Sequence, residues 1–376
     1  IYLPKSDRDV IYKQLLADLE EAFGYMAWPG QSASTMKTDR PSLAFAKGLY
    51  ARLALMASGY AQRPDDGMVN TGNQGRVRLS TDSLLTKEVL YPKVKAALED
   101  VVNNAGLELY ADYEQLWKDL NNFDLEAGKE IIYSIPMGDE RGRWNFTFAI
   151  RNENFTKWSP TTSSRGGVAG PVPSLFFKYD RVGKDQRRDV SCANFRMEND
   201  GTDDLCVLAG AGNWYFGKYR FDWQKTLPYG GGNDDGVKPV YMRYSDILLM
   251  LAEVTNELEG PDAAKPYLLE VRKRAYRGFE SEAEAYVNAL TSKEKFFDAI
   301  VDERALEFVG EFLRKADLIR WNMLKTKLDQ AKAEMYDLST KTGSVYYKYN
   351  EDGSISIPVA LRPYMGGKEV LTPINK

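Results

Sequence analysis

Residues 241–275 read YMRYSDILLMLAEVTNELEGPDAAKPYLLEVRKRA, and residues 300–321 read IVDERALEFVGEFLRKADLIRW. In the first stretch apolar side chains recur at Tyr244, Ile247, Leu248, Leu251, Ala252 and Leu258, then at Leu268, Val271 and Ala275. That is the spacing of one helix face. Gly260-Pro261 interrupts it, because glycine ends a helix and proline suits the first turn of the next. Two antiparallel helices followed, after an acidic insert, by a second pair form the pattern of stacked helical hairpins. Such stacks scaffold a binding surface more often than they do chemistry.

The same reading extends outwards, with hairpins over about 6–61, 86–120, 241–277 and 292–336. The first pairs Ser6–Met26, opened by a Ser6-x-x-Asp9 cap, with Pro41–Ala61. Ala44, Gly48, Ala51 and Ala54 in the second of these let two helices approach closely. The next pairs Thr86–Asn104 with a short helix near Asp112–Leu120. The segment from about 130 to 239 reads differently, rich in aromatics, Gly, Ser and Asn. The alternating Trp144-Asn145-Phe146-Thr147-Phe148 and Phe216–Phe221 are predicted strands. Ser159–Ser174 and Thr226–Gly236 are long loops, of the kind that carry function or stay unstructured. A terminal hairpin is expected over Tyr346–Ile357, turning at Glu351-Asp352-Gly353-Ser354. The fold expected is mainly α, hairpins with an irregular insert of short strands. No flexible linker divides it, so residues 1–376 read as a single domain.

The ordered motifs resemble those of the SusD/RagB family. Arg243-Tyr244-Ser245-Asp246-Ile247-Leu248-Leu249 and Ala252-Glu253 are similar to its RYADVLL…AE, and Val271-Arg272-Lys273-Arg274-Ala275 to its VRxRA. Glu303-Arg304, Glu307-Phe308, Glu311, Arg314, Asp317-Leu318 and Arg320-Trp321 follow its ER…E…EGxRxxDLRRW spacing. Asp39-Arg40-Pro41 to Leu55, Glu130–Ile135 and Asp185-Gln186-Arg187-Arg188 resemble further segments. Three positions depart from the pattern: Leu269 where the family has Asn, Phe312 in place of Gly, and Lys315-Ala316 in place of an aromatic pair. The resemblance implies tetratricopeptide-like helical hairpins and a cell-surface lipoprotein of the outer membrane. It also implies a SusC-like TonB-dependent transporter as partner, an oligosaccharide or peptide as ligand, and no cofactor. Family members begin with a lipid-bearing Cys and an N-terminal segment. Residue 1 here is Ile with no secretion signal before it, so that segment and the extreme C-terminus are expected to be missing.

Composition narrows the chemistry. Among 376 residues none is His, which removes the usual general base and the commonest transition-metal ligand. A net charge of −4 gives no cationic field for nucleic acid. The longest apolar runs, such as Ile247–Ala252, are too short to cross a bilayer, so the membrane attachment that the resemblance implies, a lipid anchor, is expected outside this chain. Glu303 and Glu307 lie four apart on one helix and could form a carboxylate pair, but Arg304, Arg314 and Arg320 are placed to neutralise them. A structural ion network is therefore preferred to a glycosidase pair. Asp65-Asp66-Gly67 with Asn70, and Asn233-Asp234-Asp235-Gly236, offer calcium-type oxygens without EF-hand spacing and read as solvated turns. Gly230-Gly231-Gly232 lacks what a phosphate loop needs. Cys192 and Cys206 flank a polar turn, Glu198 to Asp204. A disulfide and two small apolar strand residues both remain open.

Aromatic rings in the polar insert offer the best functional signal. Trp158 precedes Ser-Pro-Thr-Thr-Ser-Ser, then Arg165 and two glycines, and Trp223 and Tyr229 flank the second loop. With Trp144 these rings can stack on a sugar face or cover a peptide side chain, while Arg165 supplies donors. Trp214 reads as packed in a strand, and Trp117 and Trp321 as core. The resemblance to the family places glycan ahead of peptide as ligand. A helical-repeat scaffold without nutrient binding, and an enzyme of glycan breakdown using Glu303, are the rival readings.

Overall fold

The computed structural model describes residues 6–65, 75–138, 141–153, 165–176, 178–179, 184–193, 195–199, 204–208, 214–224, 234–340, 348–349 and 355–356. In chain order its helices are α1 Arg8–Ala22, α2 Leu43–Ala57, α3 Lys87–Asn104, α4 Tyr113–Asn121, α5 Trp144–Phe148, α6 Pro173–Phe176, α7 Arg187–Ser191, α8 Tyr244–Glu259, α9 Pro261–Ala275, α10 Glu280–Asn288, α11 Lys293–Glu307, α12 Arg314–Arg320 and α13 Leu324–Thr340. The fold is mainly helical with few, short strands.

Helix α8 is the spine. Its residues Tyr244 to Asn256 are all buried, because α3, α9 and α11 pack around it. Leu258 is the exception to the apolar stripe, 38% exposed in the last turn. The hairpin to α9 closes at Gly260, whose φ of 96° is a conformation open to glycine and costly for other residues, and Pro261 starts α9. Helix α1 packs on α2 and is capped by Asp7, whose carboxylate accepts from Asp9 N at 2.9 Å; Ser6 is not the cap. Helix α3 packs against both α2 and α8, while α4 packs on α7. The hairpin read over 86–120 is thus not a pair. Leu90, Val94, Leu98 and Val101 bury α3 in the main core, whereas Tyr113, Leu116, Trp117 and Leu120 bury α4 in the core of the insert.

The insert contains short strands. Ile131–Ser134 runs antiparallel to Val240–Arg243, joining the insert to the start of α8. Phe195–Asn199 pairs antiparallel with Asp204–Leu208 and parallel with Asn152–Glu153. Lys348–Tyr349 pairs with Ile355–Ser356 near the C-terminal end. Two strand expectations need correction. Trp144–Phe148 is a single helical turn, and of Phe216–Phe221 only Phe216 lies in a strand, Tyr215–Phe216. Backbone register sets Phe216 opposite Cys192 and Met197 opposite Cys206, so the two cysteines are not cross-strand partners of each other. Cys192 is a free, buried thiol whose ionisation burial suppresses.

The seam between helices and insert is ionic. Glu130, Arg187, Arg243, Arg274, Glu303 and Glu307 are all buried there. Arg243 pairs with Glu130, Glu307 and Glu311, Arg274 with Glu130 and Glu307, and Arg187 with Asp185, Glu303 and Glu307. The expected neutralisers of Glu303 and Glu307 are therefore replaced by others. Arg304 and Arg320 serve Asp246, Asp317 and Glu253, and Arg314 donates to the Val301 carbonyl. Trp117 and Trp214 are buried, and Trp321 is half-buried with its indole N–H donated to Glu253.

Candidate ligand-binding site

Described residues on either side of the two long segments of the insert bond to the short helix α5. Asn152 and Arg165 exchange backbone hydrogen bonds of 2.8 and 3.0 Å. Gly166, Gly167 and Val168 donate to the carbonyls of Phe146, Ala149 and Thr147. Gly166 has a φ of 71° and lies so close that a Cβ would sit 2.5 Å from the Ile150 carbonyl oxygen, which requires glycine. Gln224 donates to the Asp235 carbonyl at 2.8 Å. The Asp235 carboxylate in turn accepts from Phe146 N and from Val237 N, both at 3.1 Å. Asp234 accepts from Gly142 N and pairs with Arg141. Both acidic residues thus face N–H donors, and among the described residues no acidic cluster fit for a metal forms.

Of the sequence candidates, Trp144, Arg165 and Trp223 fall on these stems; Trp158 and Tyr229 lie outside the described residues. Trp144 is half-buried, with its ring 4.5 Å from Phe148, 5.6 Å from Tyr219 and 5.6 Å from Phe312. Trp223 is half-buried, packed on the insert core with Arg220 over its ring at 4.5 Å. Arg165 is only 6% exposed; burial lowers its affinity for a proton and nearby Asp235 partly restores it. The stems also carry orphan polar atoms. Asn145 Oδ1, Asn152 Oδ1, Gln224 Oε1 and Arg165 Nε are buried without a hydrogen-bond partner, an arrangement that water or a ligand hydroxyl completes.

Asp235 is the unusual titrating group. It is 1% exposed, and burial pushes its carboxyl up to about 7 although three backbone N–H groups pull it down. A raised carboxyl favours the protonated fold, so its contribution to stability is full below about pH 4 and is lost as pH rises through 7. The difference in unfolding free energy between wild type and Asp235→Ala should therefore shrink by up to a few kcal/mol from pH 4 to pH 8, at about 1.4 kcal/mol per pK unit. Urea titrations at several pH values test this; a pH-independent difference contradicts it.

Phe312 was not among the sequence candidates. It lies between α11 and α12 with φ of 61° and 55% exposure. The one signal of it in the sequence is Phe where the resembling motif has Gly.

Stacked helical hairpins bearing a loop-rich, aromatic insert define a SusD-like fold. The model of the SusD family matches residues 197–375 of this chain. The chain is 42% identical over 85 residues to SusD-like protein P25 of Formosa agariphila, and 28% identical over 243 residues to SusD-like protein P2 of the same organism. Those matches cover 23% and 61% of this chain, and 15% and 47% of the relatives, so the chain spans less than half of each. Among solved structures, a SusD homolog of Bacteroides thetaiotaomicron superposes with a TM-score of 0.69 at 21% identity, covering 86% of this chain and 61% of that one. Surface glycan-binding protein A of the same organism, in complex with laminarihexaose, gives 0.52 at 20% identity, covering 86% and 69%.

Proposed function

We propose that the protein is a cell-surface capture protein that binds an oligomeric nutrient, a glycan ahead of a peptide, and delivers it to a SusC-like TonB-dependent transporter of the outer membrane. In this reading the whole chain acts as one SusD-like domain held to the membrane by a lipid anchor outside it. The observation that carries the reading is that the described residues flanking both loops, Gly166–Val168 and Asp235, bond to the one short helix α5. A short rigid helix, pinned to the body through Asp235 and the insert core, offers stacking rings beside unsatisfied polar atoms. Flat rings with polar groups at their rim suit a pyranose, whose faces are apolar and whose edge is hydroxylated. The structural relative that is named a surface glycan-binding protein and was solved with laminarihexaose supports the same ligand class.

Enzymatic action has little to work with. Burial alone would raise the Glu303 carboxyl, yet Arg187 and Arg272 hold it below the ordinary range, so it carries no proton to donate. Glu307 is held lower still by Arg274, Arg243 and Arg187, against the same burial. We read both as structural.

Calorimetric titration with hexasaccharides of β-1,3-glucose, α-1,4-glucose and β-1,4-xylose, and with mixed oligopeptides, tests the proposal. At least one glycan should bind, with Kd of roughly micromolar to millimolar, since stacking and hydrogen bonding on a shallow site leave a modest surplus. Binding of peptides alone favours the peptide alternative. Heat from neither favours an interaction scaffold.

A further inference from the structure

We propose that Phe312 is a ligand-contacting residue: with Trp144 and Phe148 it forms an aromatic ledge on the helical side of the insert that stacks against one sugar ring of the captured glycan. This rests on the capture reading and assigns to it a contact from the α11–α12 connection, outside both loops.

The backbone around Phe312 explains how the ring is thrust outward. On one side Glu311 is pinned, its carboxylate accepting from Lys218 Nζ at 2.6 Å and from Arg243 Nε at 2.8 Å. On the other, Leu313 packs against the main hydrophobic core. Between two fixed neighbours Phe312 adopts φ of 61°, a left-handed conformation that costs a bulky L-residue roughly 1–2 kcal/mol. Glycine would sit there without strain.

Packing accounts for part of the ring only. It meets Phe148 at 5.0 Å and 64°, Trp144 at 5.6 Å and 87°, and Phe216 at 6.2 Å and 72°, all edge-type contacts. Yet 55% of the residue stays exposed. Phe123 makes an instructive contrast: it is also left-handed, with φ of 66°, but is half-buried against the insert core. A strained phenylalanine kept for packing is folded in; Phe312 is held out. Strain retained at an exposed ring is what a recognition role explains.

The surroundings select the occupant. Trp144 and Phe148 are the first and last residues of α5, to which both loop stems are bonded, so the ledge is continuous with the polar atoms orphaned there. The neighbouring Glu311 is paired with Arg243 and Lys218, so the apolar rings stand beside no unpaired charge of that residue. A neutral pyranose matches this: its face stacks while its hydroxyl edge turns to the stems.

Phe312→Gly and Phe312→Leu separate recognition from packing. The glycine variant relieves the backbone, so it should melt no lower than wild type. The leucine variant keeps apolar bulk but loses the flat ring. Both should bind the tightest hexasaccharide of the panel at least about tenfold more weakly, and the fluorescence change of the tryptophans on titration should shrink with it. Wild-type-like affinity in both variants overturns the ledge while leaving capture intact. A glycine variant that melts well below wild type overturns it too, by making the ring a packing residue. If neither a hexasaccharide nor an oligopeptide binds wild type, the capture reading falls and the ledge falls with it. If oligopeptides bind instead and depend on Phe312, the sugar assignment is wrong.

Discussion

Replacing Glu307 with alanine should destabilise the protein by about 3–5 kcal/mol, the cost of stripping one partner from a buried ion cluster. Glu307 is fully buried. One carboxylate oxygen accepts from Arg243 and Arg274 and the other from Arg187. Burial alone would keep the group protonated; the three guanidinium charges win and hold it ionised. Removing it leaves those arginines facing one another, with Glu130, Asp185, Glu303 and Glu311 only partly compensating. Glu307→Gln should cost nearly as much, because the amide preserves shape but not charge. Urea denaturation followed by circular dichroism reads the loss directly. An unfolding free energy within about 0.5 kcal/mol of wild type would contradict a structural role. It would also return Glu303 and Glu307 to consideration as reactive carboxylates.

The second large effect concerns binding. Changing Trp158, Trp223 and Tyr229 together to alanine should weaken glycan affinity at least about a hundredfold, since three aromatic anchors at about 1–2 kcal/mol each lose about 3–6 kcal/mol against the roughly 2.7 kcal/mol of that factor. Trp223 also packs on the insert core and under Arg220, so its share must be separated from lost stability. Single variants and melting curves do this: Trp158→Ala and Tyr229→Ala are expected to change binding with little change in melting. Retained affinity in the triple variant would favour the helical-repeat scaffold.

The helical body was legible because buried helices leave a period in the sequence. The α8–α9 pair is written in its apolar stripe and its Gly-Pro break, and only Leu258 strays, in a solvent-facing last turn. The insert was less legible because long-range bonds decide it. Trp144-Asn145-Phe146-Thr147-Phe148 satisfies strand alternation, yet the same spacing sets Trp144 and Phe148 one helical turn apart. Asp235, some ninety residues on, accepts from the helix backbone and tips the balance. The same holds for the ion cluster. Acidic residues on α11 were visible, but the arginines that claim them come from α7, α9 and the strand before α8. Of the site, aromatic enrichment pointed to the insert and Trp144 was found on the helix where the stems meet. The burial of Arg165 and the exposure of Phe312 depend on packing that no local pattern records.

If a rigid helical body holds out the insert to grip a glycan, hydrogen–deuterium exchange with and without the tightest hexasaccharide of the panel should show it. Slowed exchange is expected to be confined to residues 141–168, 220–237 and 308–314, with α1–α3 and α8–α9 unchanged. Protection concentrated on α1–α3, with the insert untouched, would contradict it.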